Sequence, residues 1–191
     1  TYFSTYLEVG KNFHTFIGYR GEYLFDARDT KSYLTLRIQP KSDKYYLLEI
    51  IDDPRGKKST ETRTITTNGV VTNTQEVKTT EQIKFSAQIA KRFKNLVVRG
   101  GIIESSGGAG ADYYMFRDRL KWTLEAFDFG AEGNPRLKGG AAWNLGKFFF
   151  LTAGYDDFIS KVGLQSAYIG LGLQFQDEDL KYLISSAPPI S

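Results

Sequence analysis

Cysteine is absent from this chain of 191 residues, and histidine occurs once. Without cysteine there is neither a disulfide framework nor a thiolate metal site. The lone His14 cannot build a histidine metal cluster. A Ser–His–Asp hydrolase needs a better-defined setting than Thr15 and Phe16 give it, so the sequence reads as a non-enzyme, with no catalytic residue, metal or cofactor expected. No run of about 18 apolar residues occurs, which excludes a transmembrane helix. A net charge of +3 is too small to argue for nucleic acid as a partner. The opening "TYFSTYLEVG" lacks the charged start and apolar core of a signal peptide. Thr1 in place of an initiator Met is what a mature product or a piece of a longer chain would show.

What is present points to β structure. Hydrophobic residues make up 41% and charged residues 25%, too apolar a mixture for a disordered chain. Aromatics reach 15%, a share that favours strands. In "FFFLTAGYDDF" (148–158), Phe149, Leu151, Ala153 and Tyr155 fall on one parity, with Phe150, Thr152, Gly154 and Asp156 on the other. A period of two is that of a two-faced strand. "SYLTLRIQ", "QIKFSAQIA", "LKWTLEAF" and "AYIGLGLQF" repeat it. Ten strands are predicted, near 13–25, 31–39, 44–52, 81–93, 96–104, 109–116, 119–129, 135–145, 148–158 and 166–175. Their connections alternate between short ("PKSDK", "KN", "RD", "GK") and longer ("DARDT", 53–80, "SSGG", "GAEGN", "ISKVGLQ"). Short turns therefore gather at one end, with both termini. Asn68-Gly69 marks a hairpin tip that prolongs two adjacent strands.

Periodicity alone does not say which face is wet. A soluble barrel turns its apolar parity inward, and an outer-membrane barrel turns it outward. Three features favour the second. Gly and Ala crowd parts of the polar parity, aromatics gather near strand ends, and short turns oppose long loops. Strands of about 9–11 residues also suit a membrane crossing. The fold expected is thus all-β: a closed antiparallel up-and-down transmembrane β-barrel of about ten strands, with a short C-terminal helix. Residues 1–12 form a lead-in, 13–176 the barrel and 177–191 the tail. Leu124, Phe149, Leu151, Leu171 and Leu173 should face lipid. Arg20, Glu22, Arg37, Glu49, Lys84, Arg99, Lys121, Glu125 and Asp156 should form a charge network in the lumen, with Lys138 among its bases. Gly18, Gly140, Ala142, Gly154, Gly170 and Gly172 should leave one lumen wall hollow. A lipid chain, or the tail's Leu180, Leu183 and Ile184 acting as a plug, could fill it. Asp52-Asp53 and Asp156-Asp157 pair carboxylates that could hold Ca²⁺, but turn chemistry accounts for them.

Four stretches carry a family resemblance: "YYLLEIIDDPRGK" (45–57), "GGIIESSGGAGADYYMFRDRLKWTLEAFDF" (100–129), "LTAGYDDFISK" (151–161) and "GLGLQFQDEDLKYLI" (170–184). Together they resemble the C-terminal region of certain bacterial MCE (mammalian cell entry, MlaD-like) lipid-transport proteins. The MCE domain and its membrane anchor are not in this chain, so the resemblance supplies no binding residues. It implies an outer-membrane barrel in a diderm bacterium that ends an MCE-type lipid-transport system. Such a barrel would anchor a periplasmic lipid tunnel and deliver lipid to the outer membrane. Its partners would be membrane lipids and an upstream MCE domain or other MCE subunits. The alternatives are a small outer-membrane channel, for which ten strands is narrow, and a soluble lipid-binding barrel.

Overall fold

Alternating side chains cannot bury one face as isolated strands, and the chain satisfies them by curling one sheet onto itself. The computed structural model describes residues 14–176 except 68–69, 130–134 and 160–164, and only the backbone over 56–82. Ten strands run in order: β1 (His14–Leu24), β2 (Asp29–Lys41), β3 (Lys44–Thr67), β4 (Val70–Phe93), β5 (Leu96–Ile103), β6 (Ser106–Met115), β7 (Leu120–Phe127), β8 (Arg136–Asn144), β9 (Phe149–Asp156) and β10 (Ser166–Gln176). Each pairs antiparallel with its sequence neighbours, and β1 closes on β10 from Phe16↔Gln176 to Leu24↔Tyr168. The result is an all-β, closed, ten-stranded antiparallel barrel with no open sheet edge over the closed part.

The tight turns at Ser42–Asp43 and Lys94–Asn95 lie at one end with the start of β1 and the end of β10. "SSGG" was expected to form a longer loop and does not. Glu104 and Ser105 alone make the β5–β6 turn, at φ 48° and 65°. Both residues are in the left-handed region that two-residue hairpins demand and that Gly or Asn usually supplies. The neighbouring glycines serve packing instead: a Cβ on Gly108 would come within 2.7 Å of Phe127.

β3 and β4 are 24 residues long. β2 pairs with β3 only as far as Ser32↔Asp52, and β4 with β5 only from Ala87↔Ile102. Beyond an irregularity between Asp53 and Lys57, the two strands continue as a two-stranded ribbon, paired from Lys57↔Thr80 to Thr67↔Val70. Pro54 sits at this break, where its missing N–H costs no ladder bond. The expected lead-in 1–12, the hairpin tip Asn68-Gly69, the tail with Leu180, Leu183 and Ile184, and the C-terminal helix all lie outside the described residues.

Candidate functional site

Most large apolar side chains of the strands face outward and most charges inward, although Tyr33, Tyr45, Ile51, Val97, Phe127 and Tyr168 are buried among those charges. Leu124, Phe149 and Leu171 are 55%, 51% and 52% exposed, and Leu151 is exposed beside them. Leu173 shares their parity but is half-buried. Glu22, Lys31 and Asp156 are fully buried in the lumen.

Toward the long-loop end, the lumen is filled by ion pairs. Lys31 Nζ lies 3.2 Å from Asp53 and 3.3 Å from Asp156, and also contacts Glu104. Arg55 reaches Asp53 at 2.9 Å and Asp156 at 2.8 Å. Lys84 meets Asp53 and Glu104 at 2.9 and 3.2 Å. Arg136 approaches Glu104, Asp156 and Asp157 at 3.4, 3.4 and 3.8 Å. Four bases, Lys31, Arg55, Lys84 and Arg136, thus interlock with four acids, Asp53, Glu104, Asp156 and Asp157. Local geometry aims several of them. Arg55 faces the lumen on the same parity as Ile51 and Asp53, and the left-handed backbone at Glu104 turns its carboxylate in while its N–H donates to Ser86 Oγ at 3.1 Å. Burial raises the Glu104 carboxyl, but Lys31, Lys84 and Arg136 outweigh it and hold it down at about 2.

Below this plug, toward the short-turn end, is a cavity of about 310 Å³. Its walls carry two further networks. Lys138 donates to Glu22 at 2.6 Å and to the Tyr33 hydroxyl at 2.5 Å, and Arg20 lies 3.1 Å from Glu22. Arg99 bridges Asp112 and Glu125, each at 2.9 Å, and Thr123 donates to Asp112 at 2.8 Å. Thr35 donates to Glu49 at 3.2 Å. Arg37 and Lys121 also line the cavity, and neither makes an ion pair with a carboxylate among the described residues. Arg37 instead lies 3.9 Å over the Phe16 ring, its Nε buried without a hydrogen-bond partner. The expected network residues therefore share one lumen but fall into separate clusters. Lys31, Asp53, Arg55, Glu104, Asp112 and Arg136 belong to the lumen networks but are not among the lumen residues expected from the sequence, where Asp53 figures only as one of a carboxylate pair. Lys31, Asp53, Asp112 and Arg136 keep the inward parity of their strands and could have been found by extending it. Arg55 continues the inward parity of Ile51 and Asp53 past Pro54 and could have been found the same way, whereas Glu104 breaks the parity of Val97, Arg99 and Ile103 and could not.

The hollow wall is corrected by the packing. A Cβ on Gly172 would run into the Phe150 ring, and one on Gly154 would come within 2.7 Å of the Tyr168 hydroxyl. A Cβ on Gly140 would meet that same hydroxyl, and one on Gly170 would lie 2.9 Å from Thr152. The small residues make room for inward-pointing Phe150, Thr152 and Tyr168, which occupy the space. Gly18, Gly140 and Ala142 do border the cavity.

A lipocalin-like domain family matches residues 15–182. An uncharacterized protein of Aquifex aeolicus (strain VF5) is 36% identical over 180 residues, which covers 88% of this chain and 53% of that relative. The chain thus spans about half the length of the curated relative it matches. No solved structure matches it. These findings overturn the MCE resemblance, and with it the reading as the outer-membrane end of an MCE lipid-transport system with MCE subunits as partners. Within the described residues, the stretches that carried the resemblance are barrel strands and turns. Alternation of that kind is common to closed barrels, so it reports a fold and not a transport family. With the family spanning all ten strands, the chain belongs to the lipocalin-like domains.

Proposed function

We propose that this domain is a small-molecule-binding barrel embedded in the outer membrane of a diderm bacterium, with a polar cup that opens at the short-turn end. One observation carries the reading: the barrel is apolar outside and charged inside. Monomeric proteins in water rarely expose contiguous apolar patches beyond a few hundred Å². Here Leu34, Ile50, Phe85, Val98, Leu124 and Leu171, from six different strands, are exposed together. Exposed Phe25, Phe93, Phe116, Phe129, Trp143 and Phe158 lie at or just beyond strand ends, where aromatic girdles sit. Strands β5 to β10, of 8 to 11 residues, suit a crossing of about 9–11. The ion-pair plug favours binding over conduction, because it fills the lumen beyond the cavity.

The family description favours a second reading, a soluble barrel that carries an apolar ligand. That reading needs an apolar lumen, and this one is lined by ion pairs. Purification separates the two. The membrane reading expects the chain to aggregate without detergent and to fold into phosphatidylcholine vesicles with acquisition of β circular dichroism. A monodisperse species in detergent-free buffer would overturn it.

A further inference from the structure

The lumen pairs its buried bases with acids, and Arg37 stands apart. Arg20, Lys31, Lys84, Arg99, Arg136 and Lys138 each lie within ion-pair distance of a carboxylate. Arg37 has Phe16 and Tyr45 rings at 3.9 and 5.5 Å, with Tyr114, Tyr45 and Arg92 as its electrostatic neighbours. Arg92 is itself committed to Asp118, at 2.7 Å. Lys121 borders the same place: it is the register partner of Tyr114 on the adjacent strand, and it acts on Asp112 without reaching ion-pair distance. Arg37, an uncompensated cation, and Lys121, which Asp112 draws on only from beyond ion-pair distance, therefore flank one tyrosine in a polar cavity. A charge taken out of water without a partner is costly, and the cost is recovered when an anion enters.

We propose that the cup binds a phosphate group between Arg37 and Lys121. The guanidinium fork would take two phosphate oxygens and the ammonium a third. Phe16 and Tyr45 hold the guanidinium plane in place by stacking. A recess of about 210 Å³ adjoins the cavity, sharing Phe16, Asn144, Phe150 and Gln174 and running on to Phe148 and Phe149. Phe149 is on the outer face. A phosphate that enters here could be a free monoester or the headgroup of a lipid whose chains remain outside. The inference rests on the lumen being the binding site, and on the membrane reading only for the lipid source.

Two arms test it. The first titrates sn-glycerol 3-phosphate into the detergent-solubilised chain by calorimetry. The second counts phosphatidylglycerol against phosphatidylcholine adducts by native mass spectrometry. Saturable binding in either arm is expected, weakened at least tenfold by Arg37→Gln and partly restored by Arg37→Lys. Binding in the first arm identifies a free phosphate ligand, and binding in the second alone identifies a lipid headgroup. The unfolding midpoint of ligand-free Arg37→Gln should equal or exceed that of the wild type, since an unpaired charge has been removed. Binding in neither arm, equal binding by Arg37→Gln, or a lowered midpoint would each overturn the proposal. The first arm needs no membrane, so a soluble barrel that still binds glycerol phosphate would separate this inference from the membrane reading.

Discussion

The plug gives the most direct test of how this barrel holds together. Asp156 is fully buried and faces Lys31, Arg55 and Arg136 at 3.3, 2.8 and 3.4 Å. Replacing it with Leu removes one acid from a set in which bases and acids balance, and leaves a buried positive charge uncompensated. Breaking a buried pair from one side costs about 3–5 kcal/mol. Lys31→Met should cost a similar amount, because it leaves Asp53, Glu104 and Asp156 crowded together without their shared base. The double variant removes one charge of each sign and keeps the set balanced, but Asp53 and Glu104 still lose a base and Arg55 and Arg136 still lose an acid. It should remain destabilising while costing about 2–3 kcal/mol less than the sum of the single variants. The cycle should therefore show a favourable coupling of about 2–3 kcal/mol, at the upper end for residues in one network. Urea unfolding in detergent or vesicles, followed by fluorescence of the outward-facing Trp122 and Trp143, measures all four species. Single variants that each cost under about 1 kcal/mol, or a double variant that costs their sum, would refute the view of the plug as one mutually dependent unit.

On the membrane reading, Leu124→Arg and Leu171→Arg should each cost about 2–4 kcal/mol in bilayer folding titrations, and Thr123→Arg, beside Asp112, should cost less. Gly172→Ala should lose about 1–3 kcal/mol by overpacking against Phe150 and regain most of it with Phe150→Leu; Gly154→Ala, which meets the backbone of Gly140 at 2.6 Å, should not be rescued that way. Ser105→Gly relieves a left-handed φ but removes the oxygen that accepts from the Phe85 N–H at 3.1 Å. The two should nearly cancel, and the unfolding free energy should stay within about 1 kcal/mol of the wild type. Glu104→Gly relieves the same strain yet should be destabilising by about 3 kcal/mol, since three bases lose their shared acid. Because the Glu104 carboxyl is held below its ordinary value of 4.5, its contribution is fully present above that pH. It should be lost as pH falls through about 2, which acid titration of wild type against Glu104→Gln will show as a difference that vanishes at low pH.

The strands were legible because alternation is a local signal. "LKWTLEAF" shows its two faces without reference to any other part of the chain, and β7 follows it. Inward parity likewise placed Arg20, Glu22, Arg99 and Asp156 on the lumen side. Which lumen charges meet was not legible, because contact depends on register between distant strands: Lys138 reaches Glu22 across 116 positions of sequence. The hollow wall failed for a related reason. Gly140, Gly154, Gly170 and Gly172 leave room, but the sequence alone does not say that Tyr168 and Phe150, on neighbouring strands and the same parity, fill it. Glu104 was hidden because it occupies a turn position where Gly or Asn is the ordinary choice. The family was misread because the resemblance rested on strand patterns that unrelated barrels share.

The polarity of the lumen also bears on how the chain selects one register. Backbone hydrogen bonds close a ten-stranded barrel equally well with either face inward, so closure alone cannot fix which residues lie inside. A slip of one residue in any strand exchanges its faces. In an apolar-cored barrel the slip exposes methyl groups; here it would turn Lys31, Arg99 or Asp156 outward among Leu, Ile and Phe and strip their partners of charge. Pairs such as Lys31–Asp156 and Lys138–Glu22 link β2 to β9 and β8 to β1, strands that are not neighbours in the sheet. An error in one strand is therefore felt across the lumen, and each misplaced charge adds its own penalty. Buried ion pairs are weak evidence for net stability, and their use here is better understood as specification. They favour the register in which most lumen charges meet their counterparts, and Arg37, which that register leaves without an acid, is the position left over for a ligand.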